Sequence, residues 1–129
     1  QQFFSGGADL SSTAEDYTKF MHMIINKGVH KNNRILGEQY IEMMLSKQTN
    51  LDDGDSDQGF AAWVTNEKGV KNSSLSLGSY GFGGFFDTYS YTDPKKNFTA
   101  TLFLQMYPNN SHKIHEKYQQ IVYRTIDDL

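Results

Sequence analysis

A chain of 129 residues has the length of one ordinary domain and can bury roughly 65–70% of its unfolded surface, so residues 1–129 are expected to share a single core. Its 12 Lys and Arg stand against 15 Asp and Glu, a formal net charge of -3, which leaves no excess of positive charge to neutralise a phosphate backbone and argues against nucleic acid as a partner. The absence of cysteine excludes disulfides, thiolate nucleophiles and Cys-ligated metal, and no apolar run approaches the roughly 18 residues of a membrane helix.

The opening "QQFFSGGADL" lacks the basic end and apolar middle of a signal peptide, so a soluble chain is expected, starting either inside the cell or after a lost N-terminal part. In "SSTAEDYTKFMHMIINKG", Ser12 is placed to cap a helix, with Glu15 three residues on to close a reciprocal box. Tyr17, Phe20, Met21, Ile24 and Ile25 then recur at helical spacing, and Gly28 suits a left-handed stop. A shorter helix opening at Gly37 carries Tyr40, Ile41, Met44 and Leu45 on one face. The polar run from Asn50 to Gly59 reads as an exposed loop.

Beyond that loop the period changes from helical to two. "GFAAWVT" reads as a strand, "FFDTYSYT" is rich in residues that suit a pleated surface, and "DPKKN" carries turn chemistry. In "FTATLFLQM", Phe98, Ala100, Leu102, Leu104 and Met106 alternate with more polar positions, so the two segments predict an antiparallel hairpin. "SHKIHEKYQQIVYRTIDDL" places Ile114, Tyr118, Ile121, Val122 and Ile126 on one helical stripe, suited to lie on that sheet. The resulting fold class is α+β, a short antiparallel sheet flanked by helices.

Several patterns imitate chemistry. Asp53, Asp55 and Asp57 alternate like calcium ligands, but the glycine falls one place late and Val64 stands where a bidentate Glu belongs, so a solvated acidic loop is expected. His112 and His115 are three apart, yet no third ligand completes a zinc site, and they read as surface or capping residues. No metal or cofactor is expected. The stretch "GSYGFGGFFDTYSY" sets four glycines among six aromatic residues. Gly78 and Gly83 have the spacing of a P-loop, but Gly84 replaces its Lys; Gly81 and Gly83 begin a dinucleotide fingerprint that Phe86 ends. What remains is either a bulged edge strand packed by aromatics, or a strand lining an active site, whose glycines let a substrate reach backbone N–H groups.

Order and motif together resemble the β-lactamase-like serine hydrolases, the family of class C β-lactamases, D-alanyl-D-alanine carboxypeptidases and related esterases. Gly6, Gly7, Leu10, Ser12, Thr13, Ala14, Asp16, Tyr17 and Phe20 match the family's Gly-Gly-x-Gly-Leu-x-Ser-Thr-Ala-x-Asp-Tyr-x-x-Phe segment, with Asp9 in place of a glycine. "NNRILGEQYIEMM" is similar to its Leu-Leu-Ser-Pro-Glu helix start. "GSYGFGGFFDTYSYTDPKKNFTATLFLQM" is similar to the family's Gly-His-Gly-Gly strand, its Gly-Thr-x-x-x-x-Asp-Pro continuation and its last strand ending in Gln, with Thr88, Asp93, Pro94 and Gln105 at matching positions. The three segments occur in the family's order.

The resemblance implies the C-terminal portion of such an enzyme. The family's Ser-x-x-Lys and Tyr-x-Asn motifs precede these segments, whereas no serine here has lysine three residues later and Tyr107-Pro108-Asn109 comes after the glycine-rich strand, where it reads as a turn. By carry-over, Phe85 offers its backbone N–H to an oxyanion hole, and Phe82, Gly83, Gly84 and Asp87 face substrate. Phe82 stands where Lys or His is usual, so an ester or peptide is a better expected substrate than a β-lactam. Asp87 replaces a glycine and is expected either to hold a substrate amine or, by preference, to sit on a solvated strand edge. The expected partners are the missing N-terminal part or a second copy, drawn to an apolar face left uncovered, and the family is mostly extracytoplasmic. The alternative is a non-catalytic module that holds peptide or cell-wall fragments on the aromatic strand.

Overall fold

A computed structural model describes residues 10–49, 54–109 and 113–128. Asp53, His112 and the residues matched before Leu10 therefore lie outside the described residues.

Helix α1 spans Ala14–Ile25 and is capped by Thr13, whose Oγ1 accepts from the Asp16 N–H at 3.1 Å. The cap therefore falls one residue later than Ser12, because the extended backbone at Thr13 is what aims a hydroxyl at the open amide of the first turn. At the other end Gly28 N–H bonds Met23 O at 2.8 Å and Lys27 N–H bonds Ile24 O at 2.9 Å, with Lys27 at φ 53, so a Schellman ending is built on Lys27. Gly28 has its own reason to lack a side chain, since a Cβ there would lie 2.0 Å from Leu36 O. That close approach joins α1 to a small hairpin of β1 (Val29–His30) and β2 (Asn33–Arg34), turned by Lys31 and Asn32, both at positive φ. Helix α2 (Glu38–Leu45) opens at Gly37 as expected and buries Ile41, while Tyr40 stays exposed.

The main sheet has the order β3-β4-β5-β6-β7, antiparallel throughout, with β3 Ser56–Gln58, β4 Trp63–Thr65, β5 Tyr80–Gly83, β6 Tyr89–Asp93 and β7 Phe98–Leu102. The α+β class expected from the sequence is the one observed, and the β6–β7 hairpin is present. Two local expectations are corrected. The polar segment read as loop ends in strand β3, because its amides pair with β4, and β7 stops at Leu102, so Leu104 and Met106 continue no strand. A short helix α3 (Glu67–Asn72) intervenes, capped by Asn66 Oδ1, which accepts from Lys68 N–H and Gly69 N–H.

The register sorts side chains between two cores. Val64, Tyr80 and Phe82 project to one face, where they pack with Met21, Met23, Ile24 and Ile41 of α1 and α2. Trp63, Tyr89, Tyr91, Phe98 and Ala100 project to the other, against Leu75 and the last helix, α4 (Ile114–Asp127). On α4 the buried stripe runs through Tyr118, Gln119, Val122 and Tyr123, and Ile121, expected inside, is 63% exposed. Tyr123 displaces it because its hydroxyl reaches a buried partner, Asp93.

Asp93, fully buried at the end of β6, is held by several hydrogen bonds. It accepts from Ser76 Oγ at 2.7 Å, from the N–H groups of Lys95 and Lys96 at 2.9 and 3.0 Å, and from the Tyr123 hydroxyl. Burial pushes its pKa up, but these donors outweigh burial and hold it below the ordinary carboxylate value. A depressed folded-state pKa contributes stability above the unfolded-state value, and that stability is lost as pH falls through the folded-state value. Asp93→Ala is therefore expected to lower unfolding free energy by about 3 kcal/mol at pH 7 in urea titrations, and to flatten the loss of stability on acidification. An acid limb as steep as the wild type's would contradict this.

Candidate functional site

The stretch of glycines and aromatics is β5, its turn, and most of β6. Gly81 lies opposite both Trp63 and Tyr91, and a Cβ there would come within 2.2 Å of the Trp63 ring and 2.3 Å of Ser90 O. The indole occupies the space of the missing side chain and stacks on Tyr89 at 5.9 Å and 8°. Gly81 is thus a packing glycine. Gly83 differs, for its Cβ would meet only Thr88 O at 3.7 Å, and both Gly83 and Gly84 are exposed.

Pairing along β5 is uneven. On the β6 side the register runs from Tyr80 to Gly83 and continues with Gly84 N–H bonding Thr88 O at 3.1 Å. On the β4 side it ends at Gly81 opposite Trp63. Neighbouring amides of an antiparallel strand point to opposite sides, so with Gly84 directed at β6, Gly83 is directed at the open side. The chain cannot extend β4 to cover it. Ala61 has φ 64, and Ala62 O already accepts from Gly59 N–H at 2.8 Å and Gln58 Nε2 at 3.2 Å, closing the β3–β4 turn.

After Gly84 the chain turns through Phe85, Phe86 and Asp87. Asp87 N–H bonds Gly84 O at 2.9 Å and Asp87 sits at φ 72, the arrangement of a type I turn followed by a left-handed residue. Among the described residues the Phe85 N–H has no hydrogen-bond acceptor, and the Phe85 side chain is 72% exposed. Its ring stacks on Tyr107 at 4.5 Å and meets Phe86 edge-on at 5.3 Å, which makes an aromatic rim beside the open amides.

The other site residues fall differently. Phe82 points to the α1 face, 5.7 Å from the Phe20 ring, and joins that core, so its ring is turned away from the α4 face of the sheet. Asp87 is not the solvated edge carboxylate preferred from the sequence. It accepts from Asn109 Nδ2 and lies 3.3 Å from His115 Nε2, because the left-handed backbone folds its side chain back over the turn. His115, read as a surface residue, stacks on Tyr89 at 4.4 Å. Burial pushes the Tyr89 phenol up to about 12, partly offset by the Gln119 bond, so it stays protonated at neutral pH and offers no phenolate base.

Two of the calcium-like aspartates, Asp55 and Asp57, are occupied by side chains. Asp55 accepts from Asn72 Nδ2 at 2.8 Å and Asp57 pairs with Lys47 at 2.7 Å. Sequence reasoning missed His115 and Asn109 as neighbours of the turn. The available signal was His115's place one turn before Tyr118 and Gln119 on the face that meets the sheet.

Compared with known proteins, the chain matches the family model described as Beta-lactamase over residues 1–124. No curated protein matches. Among the described residues no helix is long and apolar enough to cross a membrane.

The two glycines should respond oppositely to one methyl group. Gly81→Ala is expected to lose about 1–3 kcal/mol through overpacking against Trp63. Gly83→Ala is expected to match the wild type or gain up to about 1 kcal/mol, since it removes unfolded-state freedom without a clash. Equal losses at both positions in thermal or urea unfolding would show that Gly83 is also packed.

Proposed function

We propose that this chain, which belongs to the β-lactamase family, supplies the substrate-facing strand edge and one oxyanion donor of a serine hydrolase whose nucleophile lies outside these residues. The reading is carried by one observation, a Phe85 N–H that has no acceptor among the described residues and lies just past exposed Gly83 and Gly84, where the β4 side of β5 is open. In acyl transfer, attack of a serine hydroxyl on a carbonyl carbon moves negative charge onto the carbonyl oxygen. A fixed backbone N–H aimed at that oxygen stabilises the developing charge more than it stabilises the ground state.

Gly83 lets a substrate lie along the edge without a side chain in its path. Phe82, where the resemblance puts a cation, contributes a ring to the α1 core and no charge. An ester or peptide with an apolar group beside the Phe85–Tyr107 rim fits this chemistry better than the carboxylate of a β-lactam. The chain alone has no activated serine in this reading and needs a Ser-x-x-Lys segment from the same protein or another copy. The exposed rings of Phe85, Phe86 and Tyr107 also favour a second reading, a module that binds peptide or cell-wall fragments without turnover.

The test is chemical. The coding sequence upstream is read for Ser-x-x-Lys followed by Tyr-x-Asn, and the protein that carries them is treated with a fluorophosphonate. Covalent labelling is expected, and Phe85→Pro should slow it by about 100- to 1000-fold, since proline removes the N–H while suiting the second position of a type I turn. An open reading frame that begins at this chain, or a serine-bearing protein that Phe85→Pro labels at the wild-type rate, would overturn the proposal.

A further inference from the structure

The turn that carries Phe85 is braced from outside its own hairpin. Its last residue, Asp87, occupies a left-handed conformation at φ 72 that favours glycine, the residue the family resemblance expects there. A β-carbon at this position carries a backbone cost that glycine would avoid. The Asp87 carboxylate, 19% exposed, accepts from Asn109 Nδ2, and its Oδ1 lies 3.3 Å from His115 Nε2. The His115 nitrogen is also 3.4 Å from Asp87 O, and its ring lies flat on Tyr89 at 4.4 Å and 13°. One residue back, Phe86 O accepts from Met106 N–H at 3.1 Å.

These contacts come from three separate places: the turn itself, the segment after β7, and the first turn of α4. Together they hold the peptide units on both sides of Asp87, and the Asp87 N–H in turn bonds Gly84 O, which belongs to the peptide unit that carries the Phe85 N–H. A three-residue turn with only its Gly84–Asp87 bond can rock about the hairpin ends. With the carboxylate tied to Asn109 and held beside His115, it cannot rock without breaking these contacts.

We infer that Asp87, Asn109 and His115 form a positioning clamp that fixes the direction of the Phe85 N–H, and that Asp87 replaces the usual glycine in order to carry it. This rests on the reading of Phe85 as an oxyanion donor. Asp87 then neither touches the reacting atoms nor holds a substrate amine; it acts through the orientation of the turn. Orientation matters because a donor displaced by an ångström forfeits much of its transition-state preference.

The variants separate clamp from fold. Asp87→Gly removes the clamp and relieves the backbone; Asn109→Ala leaves the turn sequence intact; His115→Phe keeps a ring on Tyr89 but loses the contact with Asp87. Asp87→Asn is the rescue, since asparagine tolerates the left-handed backbone and still offers Asn109 an acceptor. In this chain, 15N order parameters at Phe85 and Phe86 are expected to fall from about 0.85 to below about 0.6 in Asp87→Gly and Asn109→Ala, with Tyr91 and Ala100 unchanged. In the serine-bearing protein, the maximal labelling rate by a fluorophosphonate should fall about 10- to 100-fold in the same variants, with the half-saturating concentration unchanged and Asp87→Asn close to wild type.

Unchanged labelling in a protein that the probe does label would sink the clamp and leave the hydrolase reading standing. Slower labelling with unchanged order at Phe85 would also sink it, by making Asp87 a direct participant. A wild-type protein that the probe never labels would remove the hydrolase reading and the clamp's catalytic role with it.

Discussion

The structure turns on a mismatch in strand length. Strand β5 runs from Tyr80 to Gly83, whereas its neighbour β4 begins only at Trp63, opposite Gly81. Ala61 and Ala62 are committed to reversing the chain from β3 into β4, through a positive φ at Ala61 and the Gly59 N–H to Ala62 O bond. The backbone that would have covered the second half of β5 is therefore elsewhere. An open amide edge usually invites unwanted pairing, and proteins keep such edges short. Here it ends within a few residues, at the Phe85–Asp87 turn.

Everything around the edge serves to keep it in place. One face of β5 is anchored by Tyr80 and Phe82 against α1 and α2, and the other by Trp63 resting over Gly81. Through the Trp63–Tyr89–His115 stack, the face beneath the open edge is continuous with α4. The buried Asp93 locks the far end of β6 to Ser76 and Tyr123, so the strand that templates β5 is fixed at both ends. The same glycine-rich stretch thus combines two opposed requirements: Gly81 is absent-side-chain space filled by a ring, and Gly83 is absent-side-chain space left open.

Much of this was legible in the residues. Helical spacing located α1 and α2, and the Asp93-Pro94 turn located the β6–β7 hairpin, because each is set by local chemistry. The small β1–β2 hairpin was not legible, since its turn uses Lys31 and Asn32 at positive φ in place of the usual glycine. Strand β3 was hidden by its acidity: Asp55 and Asp57 suit a solvated loop, and only pairing with β4 makes the segment a strand. On α4, hydropathy favoured Ile121 over Tyr123, but a hydroxyl with a buried carboxylate partner outweighed one aliphatic stripe position. At the site, the residues alone left open whether the glycines make room for packing or for a substrate, and the partners of Asp87 were not legible, because Asn109 and His115 lie 22 and 28 residues away along the chain.

The most direct test of the central claim is residue-resolved amide hydrogen exchange along β5 in this chain. Alternation with one open side predicts that Gly81, Phe82 and Gly84 exchange slowly, while Gly83 and Phe85 exchange near the rate of an unprotected peptide. Strong protection at Gly83 and Phe85 would mean that the edge is covered, and the account of this strand as a substrate-facing donor edge would fail.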